Sequence, residues 1–182
     1  MSDHIWSERA ELFLSAQSSK GAGHAAAMSE LRTGQKTEHW IWYVFPQLVG
    51  LGRSETAERF GIEGIDEARD YLAHPVLGER LQQAVEAVLG QLSPPVSTPL
   101  QVLMGGRLDA CKLVSSLTLF GAAAQLSEEH ADPVVAERAA SLVACCDHLL
   151  RIAAQQGFAP CQFTLAAVER SRRHSHDGTK TP

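Results

Sequence analysis

Residues 39–48, HWIWYVFPQL, decide the fold, because an unbroken apolar run of this length reads equally as a buried helix or a buried strand. Periodicity cannot separate the two, so the flanking segments must. Upstream, Ala25 to Arg32 has helical character and closes at Gly34, a residue suited to a helix C-cap. Downstream, Gly50 and Gly52 interrupt the chain, and Ser54 can cap a short helix. With helical neighbours on both sides, the run is read as helix. Pro46 then removes the bond to the Trp42 carbonyl and predicts a kink or a stop.

The rest of the chain agrees with that choice. Ser7 can cap a first helix carrying Leu12, Phe13 and Ala16. Asp66 to Leu72 and Val76 to Leu92 read as two helices broken at His74-Pro75, with Leu77, Leu81, Ala84, Val85 and Val88 at helical spacing. Ser93 to Pro99 is a proline-rich surface connection, and Leu100 to Met104 is either a short strand or a helical turn. Asp109 to Leu126 predicts a helix with Leu113, Leu117, Phe120 and Ala124 on one face. Val134 to Gln156 predicts a long one, capped near Asp132 and ended by Gly157. A last helix follows Pro160. The expectation is an all-α, single multihelical domain of about seven or eight helices with little or no strand, spanning residues 1–168, followed by a basic disordered tail over 169–182.

Composition narrows the function classes. The 182 residues carry a net charge of -5, which argues against a nucleic-acid binder, since neutralising phosphates requires a surplus of Lys and Arg. The basic residues Arg170, Arg172, Arg173 and Lys180 gather at the end, so the body is acidic. Cys111, Cys145, Cys146 and Cys161 form no C-x-x-C pair. They read as reduced core thiols, without a disulfide framework, a zinc site or an activating partner. No two histidines stand at metal-ligand spacing with a carboxylate, and no cofactor motif is present. Neither a signal peptide nor a membrane span is apparent, and the expected location is the cytoplasm.

Three segments carry residues that a plain helical bundle does not require. In Lys36 to Gln47, Trp40 and Trp42 would project about 200° apart on a helix, so one of them can line a cavity with His39, Tyr43 or Gln47. The simpler reading fills the core with both rings. In Gly50-Leu51-Gly52-Arg53-Ser54, glycines permit close backbone approach, and Arg53 beside a helix start suits an anion. The spacing matches neither phosphate-binding fingerprint, and a turn with an N-cap explains it as well. In Gly106 to Phe120, Asp109, Lys112 and Ser116 share a stripe opposite the apolar face, where Asp109 and Lys112 also make an ordinary surface pair. Ser115, Ser116 and Thr118 in mid-helix require partners.

The stretches LFLSAQ (12–17), ELRTGQKTEHWIWYVFPQLVGLGRS (30–54), EARDYLAHPVLGERL (67–81) and LDACKLVSSLTLF (108–120) closely resemble the bacterial domain of unknown function 1810 family, some of whose members are mislabelled calpastatin. The resemblance covers residues 11 to 168. It implies a mainly α-helical fold and no established activity. The family's characteristic positions fall on Lys36, His39, Trp40, Pro46, Gln47, Gly50, Gly52, Ser54, His74, Asp109, Lys112, Ser115, Ser116 and Thr118. The family pattern also has an acidic residue shortly before a Thr-Leu pair. Here Phe158 to Phe163, ahead of Thr164-Leu165, contains no carboxylate.

Two functions fit these residues. In the first, the three segments form an aromatic, polar pocket for a phosphate-bearing planar ligand of nucleotide or ADP-ribose type. Trp40 or Trp42 stacks, Gln47, Gly50, Gly52 and Ser54 line the site, and Lys36, Arg53 and Lys112 pair with anionic groups. Ser115 and Ser116 add hydroxyls, and His39 with Asp109 supplies acid–base chemistry for a hydrolase. A fold-level likeness to helical N-glycosidases of ADP-ribose metabolism points the same way. In the second, the chain is a non-catalytic helical module whose acidic body meets a protein partner. The first requires the three segments to converge.

Overall fold

A computed structural model describes residues 3–127 and 132–177 of the chain. Ten helices run through them: α1 (Asp3–Gln17), α2 (His24–Thr33), α3 (Ile41–Val44), α4 (Glu55–Arg59), α5 (Ile65–Ala73), α6 (Pro75–Leu92), α7 (Leu100–Leu103), α8 (Arg107–Gln125), α9 (Pro133–Gln155) and α10 (Gln162–Asp177). Among the described residues there is no strand, only an isolated parallel bridge between Leu48 and Ile62. The all-α class holds. The helix count exceeds the expected seven or eight because the single turns α3, α4 and α7, at the segments read as a buried helix, a short capped helix and a strand or turn, each stand as a separate element. No described helix is long and apolar enough to cross a membrane.

The deciding run 39–48 is helical only over Ile41–Val44. Phe45 turns to φ -124, ψ 72, as the residue before a proline is pressed out of the α region. The chain then passes extended beside residue 62: Val49 donates to the Ile62 carbonyl at 2.9 Å and Ile62 to the Gln47 carbonyl at 2.8 Å. Pro46 therefore follows the helix instead of kinking it.

Other boundaries follow local chemistry. Gly34 caps α2 at φ 87, and the Ser54 hydroxyl accepts from Ala57 N–H at 3.2 Å. Asp132 Oδ1 accepts from Val134 N–H at 2.8 Å and starts α9. His74 is structural: its Nδ1 accepts from Val76 and Leu77 N–H at 3.2 and 3.3 Å and caps α6, with Pro75 in its first turn. Leu100–Leu103 is the helical turn, not the strand. α1 begins at Asp3, so Ser7 lies inside it. α10 runs through Asp177, well into the segment expected to be disordered; Val168 buries against the core and Glu169 pairs with Arg173 at 3.7 Å. Residues 178–182 lie outside the described residues.

α8 is the axis of the fold. It packs against α9, α5 and α10, and buried residues occur on every side of it, from Ala110 and Leu113 to Phe120 and Ala124. α6 packs against both α2 and α9. Phe13, Tyr43, Phe60, Tyr71 and Phe120 join in tilted and edge-on contacts at 5.2–5.8 Å. Gln17 fastens this cluster by donating to the Tyr43 carbonyl at 2.7 Å and the Tyr71 hydroxyl at 2.9 Å. Of the four cysteines expected in the core, only Cys146 is fully buried; Cys111 is exposed, and Cys145 and Cys161 are half-buried. None is in a disulfide.

Candidate functional site

The loop before α3 is built on one carboxylate. Glu30, at the end of α2, accepts from the Thr37 N–H and hydroxyl, the Glu38 N–H and the Trp40 indole N–H. Burial works against its charge, but these donors outweigh it and hold its pKa below the usual range. Trp40 is thereby fixed at 0% exposure. Trp42, on the other side of the same turn, is half-buried. The divergence of the two indoles follows from their spacing: one fills the core, the other faces outward.

Beneath the loop lies a charge network. Lys36, with 6% of its side chain exposed, pairs with Asp109 Oδ2 at 2.7 Å and donates to the Glu38 carbonyl at 2.7 Å. Its ammonium stands 5.1 Å from the Trp40 ring centroid. Lys112 takes the other oxygen of Asp109 at 2.8 Å, and its ammonium lies 4.3 Å from the Trp42 ring centroid. Gly105, at φ 66, makes the approach possible: a Cβ there would stand 2.6 Å from the Lys36 carbonyl oxygen. Burial would raise the Asp109 pKa, yet hydrogen bonds and charge from Lys112 and Lys36 lower it overall. Asp109 is a fixed anion, poorly suited to donating a proton at neutral pH.

A cavity of about 710 Å³ opens beside this network. Its walls bring the three segments together: Trp42 and Gln47 from the first, Gly52, Arg53 and Ser54 from the second, and Lys112 and Ser115 from the third. The other expected residues lie elsewhere. Lys36, Trp40 and Asp109 support the wall from behind, and His39 is exposed and outside the lining. His39 and Asp109 thus do not form an acid–base pair in the cavity. Gly50 turns next to Phe163, where an added Cβ would meet the ring at 3.4 Å. Ser116 is buried on the same stripe as Asp109 and Lys112, and its hydroxyl has no partner among the described residues. The other mid-helix hydroxyls are satisfied: Ser115 bonds Thr164 at 3.0 Å and Thr118 donates to the Val114 carbonyl at 2.7 Å.

The lining also contains residues that sequence reasoning missed. Arg107 at the head of α8 lies 4.9 Å from the centroid of Phe158. Its place after the Gly105-Gly106 turn was the available signal. Cys161, just before α10, lines the cavity too. Burial opposes its thiolate, but hydrogen bonding from Thr164, Ser115 and the Phe163 N–H prevails and lowers its pKa, the Ser115 and Thr164 hydroxyls sharing their two protons between each other and the sulfur. Its activating partners are remote in sequence or lie on a helix end, and this hid them.

Fold and site define an all-α domain with a cation-rimmed cavity beside its central helix. The chain belongs to the family described as Protein of unknown function (DUF1810), which it matches over residues 7–138. It is similar to the conserved hypothetical protein Rv1873 from Mycobacterium tuberculosis, with 35% sequence identity, a TM-score of 0.56, and coverage of 72% of this chain and 82% of that one. No curated protein matches the chain.

Proposed function

We propose that this chain is a small-molecule-binding protein whose cavity takes an anionic, phosphate-bearing ligand. The observation that carries the reading is the charge of the cavity wall: among the described residues Arg53, Arg107 and Lys112 line it and no carboxylate does, on a chain of net charge -5. Arg53 has no ion pair among the described residues. The volume lies within the range typical of ligand sites. Solid packing of the three segments would favour an interaction module; the space they line supports a ligand instead. Hydrolysis through His39 and Asp109 loses its geometric support, so the reading is binding.

Thermal unfolding against inorganic phosphate, sugar phosphates, nucleotides and ADP-ribose tests it. A ligand at about 100 times its Kd stabilises the fold by about 2.7 kcal/mol, a shift of several degrees in Tm. That shift should appear in the wild type and shrink in Arg53→Ala, an exposed position that folding tolerates. Absence of a shift with every anion, at concentrations up to millimolar, would overturn the proposal.

A further inference from the structure

Resting on that reading, we infer that the ligand is an amphipathic anion, with one charged head and an aliphatic body, and not a stacked nucleobase. The three aromatic rings of the lining are already engaged, and Phe60 is buried against Phe13 and Tyr43. Lys112 stands over Trp42 at 4.3 Å and Arg107 over Phe158 at 4.9 Å. Trp42 otherwise packs against the hydrophobic core, and Phe158 is only 5% exposed. A flat ring would have to displace a cation to reach either face. Displacing Lys112 would also break its bond to Asp109.

The unoccupied wall is of a different kind. Leu48, Leu51, Ala57 and Val114 line the cavity with aliphatic surface, and Leu108, 72% exposed, extends it to the rim. Such a wall gains from burying methylenes and itself offers no partners for the ring nitrogens and amino group of a base; of the polar side chains elsewhere in the lining, Ser54 caps α4 and Ser115 bonds Thr164, leaving Gln47. The cations fix the head, with Arg53 the one cation of the lining that has neither a ring nor a carboxylate partner among the described residues. The matching ligand class is an alkyl chain ending in a phosphate monoester.

Calorimetric titration with n-alkyl phosphates and n-alkanoates from ethyl to decyl, below their micelle concentrations, tests this directly. Adenosine monophosphate and inorganic phosphate serve as comparators. Affinity should rise roughly fourfold per methylene until the cavity is full, and octyl phosphate should bind more tightly than the nucleotide. The phosphates should bind more tightly than the alkanoates of equal length, and the reverse order would overturn the phosphate head. Arg53→Gln should weaken every chain length by a similar factor and leave the slope unchanged. A flat chain-length profile with the nucleotide tighter would overturn this inference while leaving the anion cavity intact. Failure of every anion, including phosphate and the nucleotide, would overturn both.

Discussion

Lys36 and Asp109 form an ion pair at 2.7 Å in which the lysine is almost wholly buried and the carboxylate is about one-fifth exposed. The asymmetry makes Asp109 the group on which the pair depends. Asp109→Asn leaves the Lys36 ammonium with the Glu38 carbonyl and no counter-charge, at an expected cost of about 2–3 kcal/mol in urea unfolding. Since the folded pKa is depressed from 3.8, the stabilisation is present above that value and disappears as pH falls through the lower folded value. The stability gap between wild type and variant should therefore close in strong acid. A gap independent of pH would sink the assignment.

Glu30 holds the loop that presents Trp42. Glu30→Ala removes the acceptor for two backbone N–H groups, a hydroxyl and the Trp40 indole. The expected loss is about 2 kcal/mol, with a change in tryptophan emission as Trp40 loses its anchor. Unchanged emission at unchanged stability would show that packing alone fixes the loop.

His74 predicts a pH response near neutrality. Burial lowers its pKa from 6.5, and the cap requires an unprotonated Nδ1. Stability is therefore complete above pH 6.5 and declines as pH falls toward the lower folded value. His24, also lowered by burial, adds to the same slope. His74→Asn retains a capping oxygen and should flatten the decline, leaving the His24 part. An identical slope would remove His74 from the account.

Cys161 should be alkylated by iodoacetamide near neutral pH faster than Cys145 or Cys146, both of whose pKa values burial pushes up. Peptide mapping over time reads the order. Because Cys161 lines the cavity, a bound anion should slow its reaction and leave Cys145 unaffected. Equal rates at Cys161 and Cys145 would contradict the lowering of the Cys161 pKa by its hydrogen-bonding neighbours.

Ser116, at 1% exposure, carries a buried hydroxyl without a partner among the described residues. Ser116→Ala removes the desolvation penalty and improves helix propensity, so it should leave the fold unchanged or stabilise it by up to about 1 kcal/mol. A loss beyond that would reveal a bond to this hydroxyl.

The sequence by itself determined the helical class, because helix starts and stops are local chemistry. His74-Pro75, Ser54, Asp132, Gly34 and Gly157 act within a turn of where they stand, and each lies at the boundary its residue type implies. The opposite orientation of Trp40 and Trp42 was legible for the same reason. The run 39–48 was not, since an element buried on all sides loses the polar face that would betray its period. The site divided along the same line. Trp42, Gln47, Arg53, Ser54 and Lys112 stood out by type, but only tertiary structure brought them to one cavity. It also set Lys36 and Asp109 behind the wall, left His39 in solvent and placed Ser115 and Thr164 around Cys161. Those outcomes depend on how α8 and α10 pack and on which burial each charge can tolerate, and both are settled between residues far apart in the chain.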